Sequence, residues 1–536
     1  MLKLNSSTDK PNHELAVQII EASLKEGIKV DAEELNKKIA DSYEEYEKCS
    51  KKVHEKYGVA NVKSTVQVAK LLERESYRIA QQGLSRNDVY EISYDQRNGK
   101  FSTRKEVLLK LEALGYEFAS DILDAKRASK NYSVLKGYRD FTGSDECVHP
   151  TVSVTKTHRI GLQKPSLMAI RKSLRWKIFK QRSDDMEIVC ADIKNEELTI
   201  LFNEIHATEC FDDLLSEEGI YNSTLKKLYS PKAQLVIRVD QSFESRVIED
   251  FEDAVMVDLE HDFDRWVKVK SSACKLDGLK VEAIKTLCFV AKSMSDAKVP
   301  TEVEIALNDG ENTKVVKTPV KWKKIISKDG DKYVFEGELT EVSMDIDPEE
   351  RKEIKLMFIA SIYGISEMGM RETVKHLDIP TFTSFFKSIG EYSRYAKEAN
   401  SMARDKCKHT YTKFGTKIEL ENWELNENGL ARKFMNYPVQ GTGADVMAFI
   451  LENADKVIKE RYEGKIKIYF SVYDEVVFEV NKQWMKEVGR DKVSEILKDL
   501  VEFQIDDGCP ARAEIEFIAD EVETDSDEEL FLETEE

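Results

Sequence analysis

The chain has 536 residues, 41% hydrophobic and 34% charged, with 81 basic against 101 acidic residues and a formal net charge of −20. That length predicts two to four structural units, and the mix excludes disordered and fibrous classes. No apolar run reaches the roughly 18 residues of a membrane span, and Met1-Leu2-Lys3-Leu4-Asn5 lacks a signal-peptide core, so a soluble intracellular protein without a membrane partner is expected. The acidic balance argues against attachment to nucleic acid through the overall field, which leaves a local basic groove as the route to such binding. Eight scattered cysteines without a Cys-x-x-Cys pair read as reduced thiols, and the eight histidines do not cluster near them as a zinc site requires.

From His13 to Glu73 the apolar residues Leu15, Ile19, Ile20, Leu24, Leu35 and Ile39 recur at helical spacing, and the charged stretch Glu44 to Lys56 reads as a long exposed helix. Amphipathic helices continue, with polar breaks, to Leu123. After Cys147, Val152-Ser153-Val154-Thr155 alternates as a strand does. A second predicted strand, Met186 to Ala191, runs directly into Asp192, and helical patterns then dominate to about Met294. Residues 301–343 change character. Val303, Ile305 and Leu307 alternate, while Asn308-Asp309-Gly310 and Asp329-Gly330 stand where hairpin turns fall, which predicts a small β insertion over about 296–345. Asp347-Pro348-Glu349-Glu350 starts a helix with a cap residue, a proline in the first turn and acids at the positive dipole end. Helices continue to Met447, and Ile466–Val472 and Val476–Val480 pair around Asp474. The tail from Asp520 to Glu536 lacks basic residues and sets Leu530, Phe531 and Leu532 among acids; it reads as a solubilising disordered tail or as a partner-docking peptide.

Four stretches could carry chemistry. Asp192-Ile193-Lys194-Asn195-Glu196-Glu197-Leu198 follows a strand, and a carboxylate there can project from a rigid sheet edge into a cleft; a helix cap is the plainer reading. Tyr473-Asp474-Glu475 lies between two apolar strands, where acids also occur simply as turn residues. Together, two strand-end carboxylates are what a two-metal phosphoryl-transfer site needs. Arg351, Lys355, Ile359 and Tyr363 recur every four residues and so form one slowly drifting helical stripe, able to hold a triphosphate or to serve as a solvated basic face. Arg432, Asn436 and Gln440 present evenly spaced donors suited to minor-groove acceptors, and the glycines after Gln440 permit close backbone approach.

In this order and with these internal spacings the four stretches resemble the motifs of family A DNA polymerases. Asp192 to Leu198 is similar to DYSQIEL, sharing the aspartate, the glutamate and the leucine. Arg351, Lys355, Tyr363 and Gly364 match Arg-x3-Lys-x7-Tyr-Gly; Arg432, Asn436, Pro438, Gln440, Gly441, Thr442, Ala444 and Asp445 match RxxxNxPxQGTxAD. Val472 to Val480 resembles VHDELVFEV, with Tyr473 in place of the histidine. Thr157-His158-Arg159 and Pro165-Ser166-Leu167 resemble a degraded TGRLSSxxPNLQ.

The resemblance implies an α+β right-hand fold, with an antiparallel palm sheet, a helical thumb and helical fingers carrying the β insertion. The corresponding bounds are a palm-entry segment at 1–24, thumb at 25–125, palm at 126–205 and 426–519, fingers at 206–425 and an acidic tail at 520–536. It also implies primer extension by in-line attack of a 3′-hydroxyl on the α-phosphate of a deoxynucleotide. Asp192 and Asp474 would hold two magnesium ions, for which manganese can substitute, with the Ile193 carbonyl as a further ligand and Glu475 as a supporting acid. Arg351 and Lys355 would hold phosphates, with Lys355 protonating pyrophosphate. Ile359, Tyr363, Asn195 and Glu197 would face the incoming nucleotide, Glu197 excluding a ribose 2′-hydroxyl. Arg159, Arg432, Asn436 and Gln440 would contact DNA. The implied partners are primer–template DNA and deoxynucleoside triphosphates, with replication proteins and a separate exonuclease beyond them. Only a couple of dozen residues precede the thumb, so no 3′–5′ proofreading is expected of this chain.

Departures narrow what carries over. Ile359 stands where the family has an aromatic residue, Asp264 where it has a phosphate-contacting histidine, and Met168 where it has a DNA-contacting glutamine. The stretch from Asp192 to Arg351 is longer than usual. Lysine- and glutamate-rich, proline-poor composition points to a phage replicase in the cytoplasm of a bacterial or phage-infected cell. The alternatives are a single-subunit RNA polymerase, which lacks the counterpart of Glu197, a catalytically inactive DNA-binding scaffold, and a nuclease, for which the Arg351–Lys355 stripe would have no purpose.

Overall fold

The nearly unbroken apolar run Met186–Ile193 forms an inner strand of a four-stranded antiparallel sheet. Glu475–Asn481 pairs along one side of it and Ala513–Phe517 along the other, and Ile466–Val472 lies beyond Glu475–Asn481. A strand covered on both faces favours apolar residues at successive positions over alternation, and Ile188, Val189, Cys190 and Ala191 are all buried. Tyr469, Phe470 and Phe478 supply the bulk of the packing from the neighbouring strands. The structure, a computed structural model, describes the chain except residues 82–86, 97, 171, 230–235, 239–254, 257–266, 269–285, 292–301, 309–312, 330–331, 340–347, 372–373, 421–425 and 519–536. The acidic tail, Asp264, the helix-start residue Asp347 and the turn residues Asp309, Gly310 and Gly330 lie outside the described residues.

The chain divides into two compact units: Met1–Phe211, Ala360–Glu372 and Phe386–Glu536 form the first, and Asp212–Ile359 with Thr373–Phe385 the second. In the first, the long helix Glu427–Arg461 and the helix His13–Leu24 pack together, and His13–Leu24 also contacts the strand Ile466–Val472. The strand Leu2–Leu4 pairs in parallel with Phe503–Ile505. A separate helical core gathers Val53, Leu71, Leu72, Leu108, Leu111 and Ile122 from the helices Ala32–Tyr57, Thr65–Gln81, Lys105–Ala113 and Glu117–Phe141. The first of these helices starts where the Asp31 side chain accepts from the Glu34 N–H and ends at Gly58, whose φ of 71° is the left-handed conformation of a helix stop. The hairpin His409–Tyr411/Lys417–Glu419 breaks a region whose pattern reads as helical; its strands are too short for period to reveal.

The helix Pro348–Ile362, which the second unit holds as far as Ile359, begins at the expected proline, and Phe358 packs edge-on against Phe382 and Tyr221. The sheet of this unit corrects the sequence reading. Strands begin at Val236, well before Met294, and form a seven-stranded sheet in the order Val255–Met256, Thr286–Ala291, Lys332–Leu339, Thr313–Asp329, Glu302–Asn308, Val236–Arg238, Val267–Lys268. The two hairpins expected from the turn residues do form, with Asn308 opposite Thr313 and Asp329 opposite Lys332. The earlier strands, two to six residues long, pair only with one another or with these distant strands, so no local period marks them. Among the described residues no helix is long and apolar enough to cross a membrane.

Candidate active site

Strand register brings the two predicted carboxylates together. Asp192 lies directly across from Glu475, and Asp474 occupies the two-residue turn that joins Val472 to Glu475. The Ile193 N–H donates to the Asp474 carbonyl at 3.1 Å, which ties the turn to the end of the inner strand. Tyr473 takes φ = 56° in that turn, at a position where a two-residue hairpin loop favours glycine; such strain collects at functional sites. Asn195, also left-handed at φ = 53°, turns the chain from the strand into the helix Glu196–Glu204.

The acids at this edge are unevenly compensated. Burial pushes the Asp474 carboxyl up, the Asp192 charge adds to this, and Arg159 opposes it. Asp192 is raised by burial and by Glu475 and Glu516, against Lys172, whose Nζ lies 3.6 Å from Asp192 and 2.7 Å from Glu516. Glu475 is buried. Its Oε2 meets Arg175 Nη1 at 2.6 Å, and its Oε1 has no hydrogen-bond partner. Glu196 is 5% exposed, its Oε1 also lacks a partner, and burial followed by the Asp474 charge raises its carboxyl.

Beside this group runs a polar chain. Gln440 Nε2 donates to the Tyr363 hydroxyl at 2.9 Å, that hydroxyl stands 3.5 Å from Glu197 Oε1, and the same oxygen receives Arg159 Nη2 at 2.6 Å. Gly364 makes the placement of Tyr363 possible. Its φ is 64°, and a Cβ there would come within 2.9 Å of Met435 Sδ. Close approach at the glycines after Gln440 is as expected, although the partners are protein: a Cβ on Gly441 would strike Ile418 and Thr412, and one on Gly443 would press on the Glu196 carboxylate. Asp445, fully buried, accepts from the Thr412 and Thr416 hydroxyls and pairs with His13 Nε2 at 2.8 Å.

The predicted residues therefore fall into groups. Asp192, Ile193, Asp474, Glu475, Asn195, Glu197, Arg159, Tyr363 and Gln440 belong to the first compact unit, as does Asn436, which is buried with an unpartnered Oδ1, and Arg432, which is exposed. Arg351 and Lys355 are exposed and Ile359 half-buried along one side of the helix Pro348–Ile362, while Ile354, Met357 and Phe358 on the other side are buried; Tyr363, the fourth residue of the expected stripe, lies just past the helix end. Sequence reasoning missed Lys172, Arg175 and Glu196. Lys172 and Arg175 reach the acids only through tertiary folding. Glu196 did leave a signal, since it stands at the isoleucine of DYSQIEL.

Among the described residues no three His, Cys, Asp or Glu side chains close into a metal cage. The donor set at Asp192 and Asp474 is nevertheless hard oxygen and short of positive charge. It fits magnesium, which keeps several waters and is held by one or two carboxylates together with substrate phosphates.

Residues 332–517 match DNA polymerase family A. DNA polymerase I of Lactococcus lactis subsp. cremoris (strain MG1363) is 25% identical over 176 residues, covering 31% of this chain and 20% of that relative. DNA polymerase I of Caldicellulosiruptor bescii is 28% identical over 161 residues, 29% of this chain and 18% of the relative. The chain thus spans about a fifth of the length of these curated relatives. In three dimensions it is similar to the POL domain of Pol1 from M. smegmatis, determined with DNA primer-template and dNTP, with a TM-score of 0.59 and 17% identity over 94% of this chain and 69% of that one. Segment 332–517, which carries Asp474 but not Asp192, is the part of this chain that matches DNA polymerase family A.

Proposed function

We propose that the chain is a DNA-directed DNA polymerase that extends a primer 3′-end with deoxynucleotides. The observation that carries this is the meeting of Asp192 and Asp474 at one sheet edge, in a chain whose segment 332–517 matches the family. On this reading the four-stranded sheet is the palm, residues 25–125 are the thumb and 206–425 the fingers. Primer-template DNA and dNTP, named with the similar POL domain, are the ligands inferred for this chain.

Asp192 and Asp474, with the Ile193 carbonyl, would hold magnesium. When bound, two such ions would lower the pKa of the 3′-hydroxyl and neutralise charge on the triphosphate and the leaving pyrophosphate. Arg351 and Lys355, exposed on one helical stripe, would bind phosphate oxygens, and Lys355 would deliver a proton to pyrophosphate. Glu197, fixed by Arg159 and backed by Tyr363, would stand against a ribose 2′-hydroxyl. Arg432, Asn436 and Gln440 would read the minor groove through their donor groups. The composition supports a replicative role in a bacterial or phage-infected cell.

Primer extension with each nucleotide type tests the reading. Wild type should extend with deoxynucleotides and far more slowly with ribonucleotides, and Asp474→Asn should lose about a thousandfold in rate through loss of a metal ligand. Equal use of ribonucleotides would favour an RNA polymerase, and extension undiminished in Asp474→Asn would remove the proposed chemistry.

A further inference from the structure

Glu196 opens the helix Glu196–Glu204, immediately after the strand and turn that carry Asp192 and Asn195. A glutamate in a first helical turn ordinarily sits in solvent and complements the helix dipole. This one does not: it is 5% exposed, and its Oε1 has no hydrogen-bond partner. Burying a carboxylate with an unmet oxygen is costly, so a residue kept in that state invites a ligand. Arg159, whose charge acts on it, is already committed to Glu197 at 2.6 Å. Room for the Glu196 carboxylate comes from Gly443, where a Cβ would lie 3.0 Å from Oε2 and 3.3 Å from Oε1.

Glu196 also lines a cavity of about 20 Å³, the room that one water molecule needs. Arg159, His13, His158, Ser471 and Tyr473 share its wall. Ser471 and Tyr473 lead directly into Asp474, and Asp474 is the charged group that acts most strongly on Glu196. The cavity thus places an unmet acceptor beside Ser471 and Tyr473 of the hairpin that carries Asp474, and a hydrated magnesium ion held by Asp474 would offer water O–H groups to such an acceptor.

We propose that Glu196 is an outer-sphere carboxylate of the divalent-cation site, accepting hydrogen bonds from the hydration shell of a cation at Asp474 through water held in this cavity. It is a positioning residue and not a direct ligand, consistent with the lack of a three-carboxylate cage among the described residues. The inference rests on the reading of Asp192 and Asp474 as the metal-binding pair. Outer-shell partners commonly change metal affinity by about ten- to a hundredfold. An isoleucine at this position, as in DYSQIEL, would fill similar space without the charge.

The test is Mn²⁺ binding to the full chain without DNA or nucleotide, followed by the electron paramagnetic resonance signal of the free ion. Wild type, Glu196→Gln, Glu196→Ile and Asp474→Asn are compared, with circular dichroism as the control for folding. Glu196→Gln and Glu196→Ile should each weaken Mn²⁺ binding by about tenfold or more. Should Glu196→Ile fail to fold, the near-isosteric Glu196→Gln decides. Wild-type affinity in the Glu196 variants, alongside a loss in Asp474→Asn, overturns the role of Glu196 and leaves the metal pair standing. Wild-type affinity in Asp474→Asn overturns both.

Discussion

Arg175 and Glu475 are each less than a tenth exposed and meet at 2.6 Å, in the same part of the sheet as Asp192. Such a pair adds little net stability, but removing one partner strands the other. Arg175→Ala should therefore cost about 3 kcal/mol in urea unfolding. Glu475→Gln in the same chain should recover part of that loss, because a neutral amide costs less to bury than a charge. Glu197 makes a different kind of prediction. Its Oε1 is clasped by Arg159 and lies near the Tyr363 hydroxyl, so its position is set from two sides. With Glu197→Ala, ribonucleotide insertion relative to deoxynucleotide insertion should rise about a hundredfold in single-turnover assays. An unchanged ratio would assign sugar selection to another residue. These contacts mark what local reading reaches. Asp192, Glu197 and Asp474 sit in short strings that are readable only when taken together and in order, whereas Lys172 and Arg175 have no local signature and become neighbours of the acids only through folding.

Among the elements, the long helix Glu427–Arg461 is the organiser of this site. It carries Pro438 in its interior and two glycines one turn further on, an unfavourable composition for an isolated helix. Tertiary contacts explain the glycines, since side chains from the hairpin His409–Glu419 and Glu196 occupy the space that Cβ atoms would take. The helix Pro348–Ile362 closes in a comparable way. Gly364 at φ = 64° ends it, and Tyr363 is thereby held beside Gln440. Gly364→Ala meets both a disfavoured backbone conformation and Met435 Sδ at 2.9 Å, so a loss of about 1–3 kcal/mol is expected. Chemical denaturation should report it, together with weaker nucleotide binding as Tyr363 shifts; a neutral substitution would mean that the backbone there relaxes freely. The helical reading stopped at Met447, short of Arg461, but the helix start at Pro348 was legible because its punctuation is local. The strands Val236–Arg238, Val255–Met256 and Val267–Lys268 were not, since two or three residues hold no period and their partners lie far along the chain.

For the molecule as a whole, the formal charge of −20 matters most where acids are buried. Asp474 and Glu196 both hold their protons more tightly than free carboxyls do, because of burial and, next, Asp474 feels Asp192 while Glu196 feels Asp474. The folded chain therefore binds these protons better than the unfolded chain. The stability so gained is whole below the free carboxyl pKa near about 4 and is lost as pH rises through the raised folded values. A divalent cation favours the ionised carboxylates, so it should offset that loss. The rise in thermal midpoint on adding Mg²⁺ should consequently be small near about pH 5 and larger near about pH 8. Asp474→Asn removes one of the opposed charges. Without added cation near about pH 8 it should melt above wild type, and its midpoint should scarcely respond to Mg²⁺. Melting curves across this range, with Mg²⁺ and with EDTA, decide the matter. A Mg²⁺ shift that is flat with pH, or one that survives intact in Asp474→Asn, would mean that the cation stabilises the chain somewhere other than at this pair of acids.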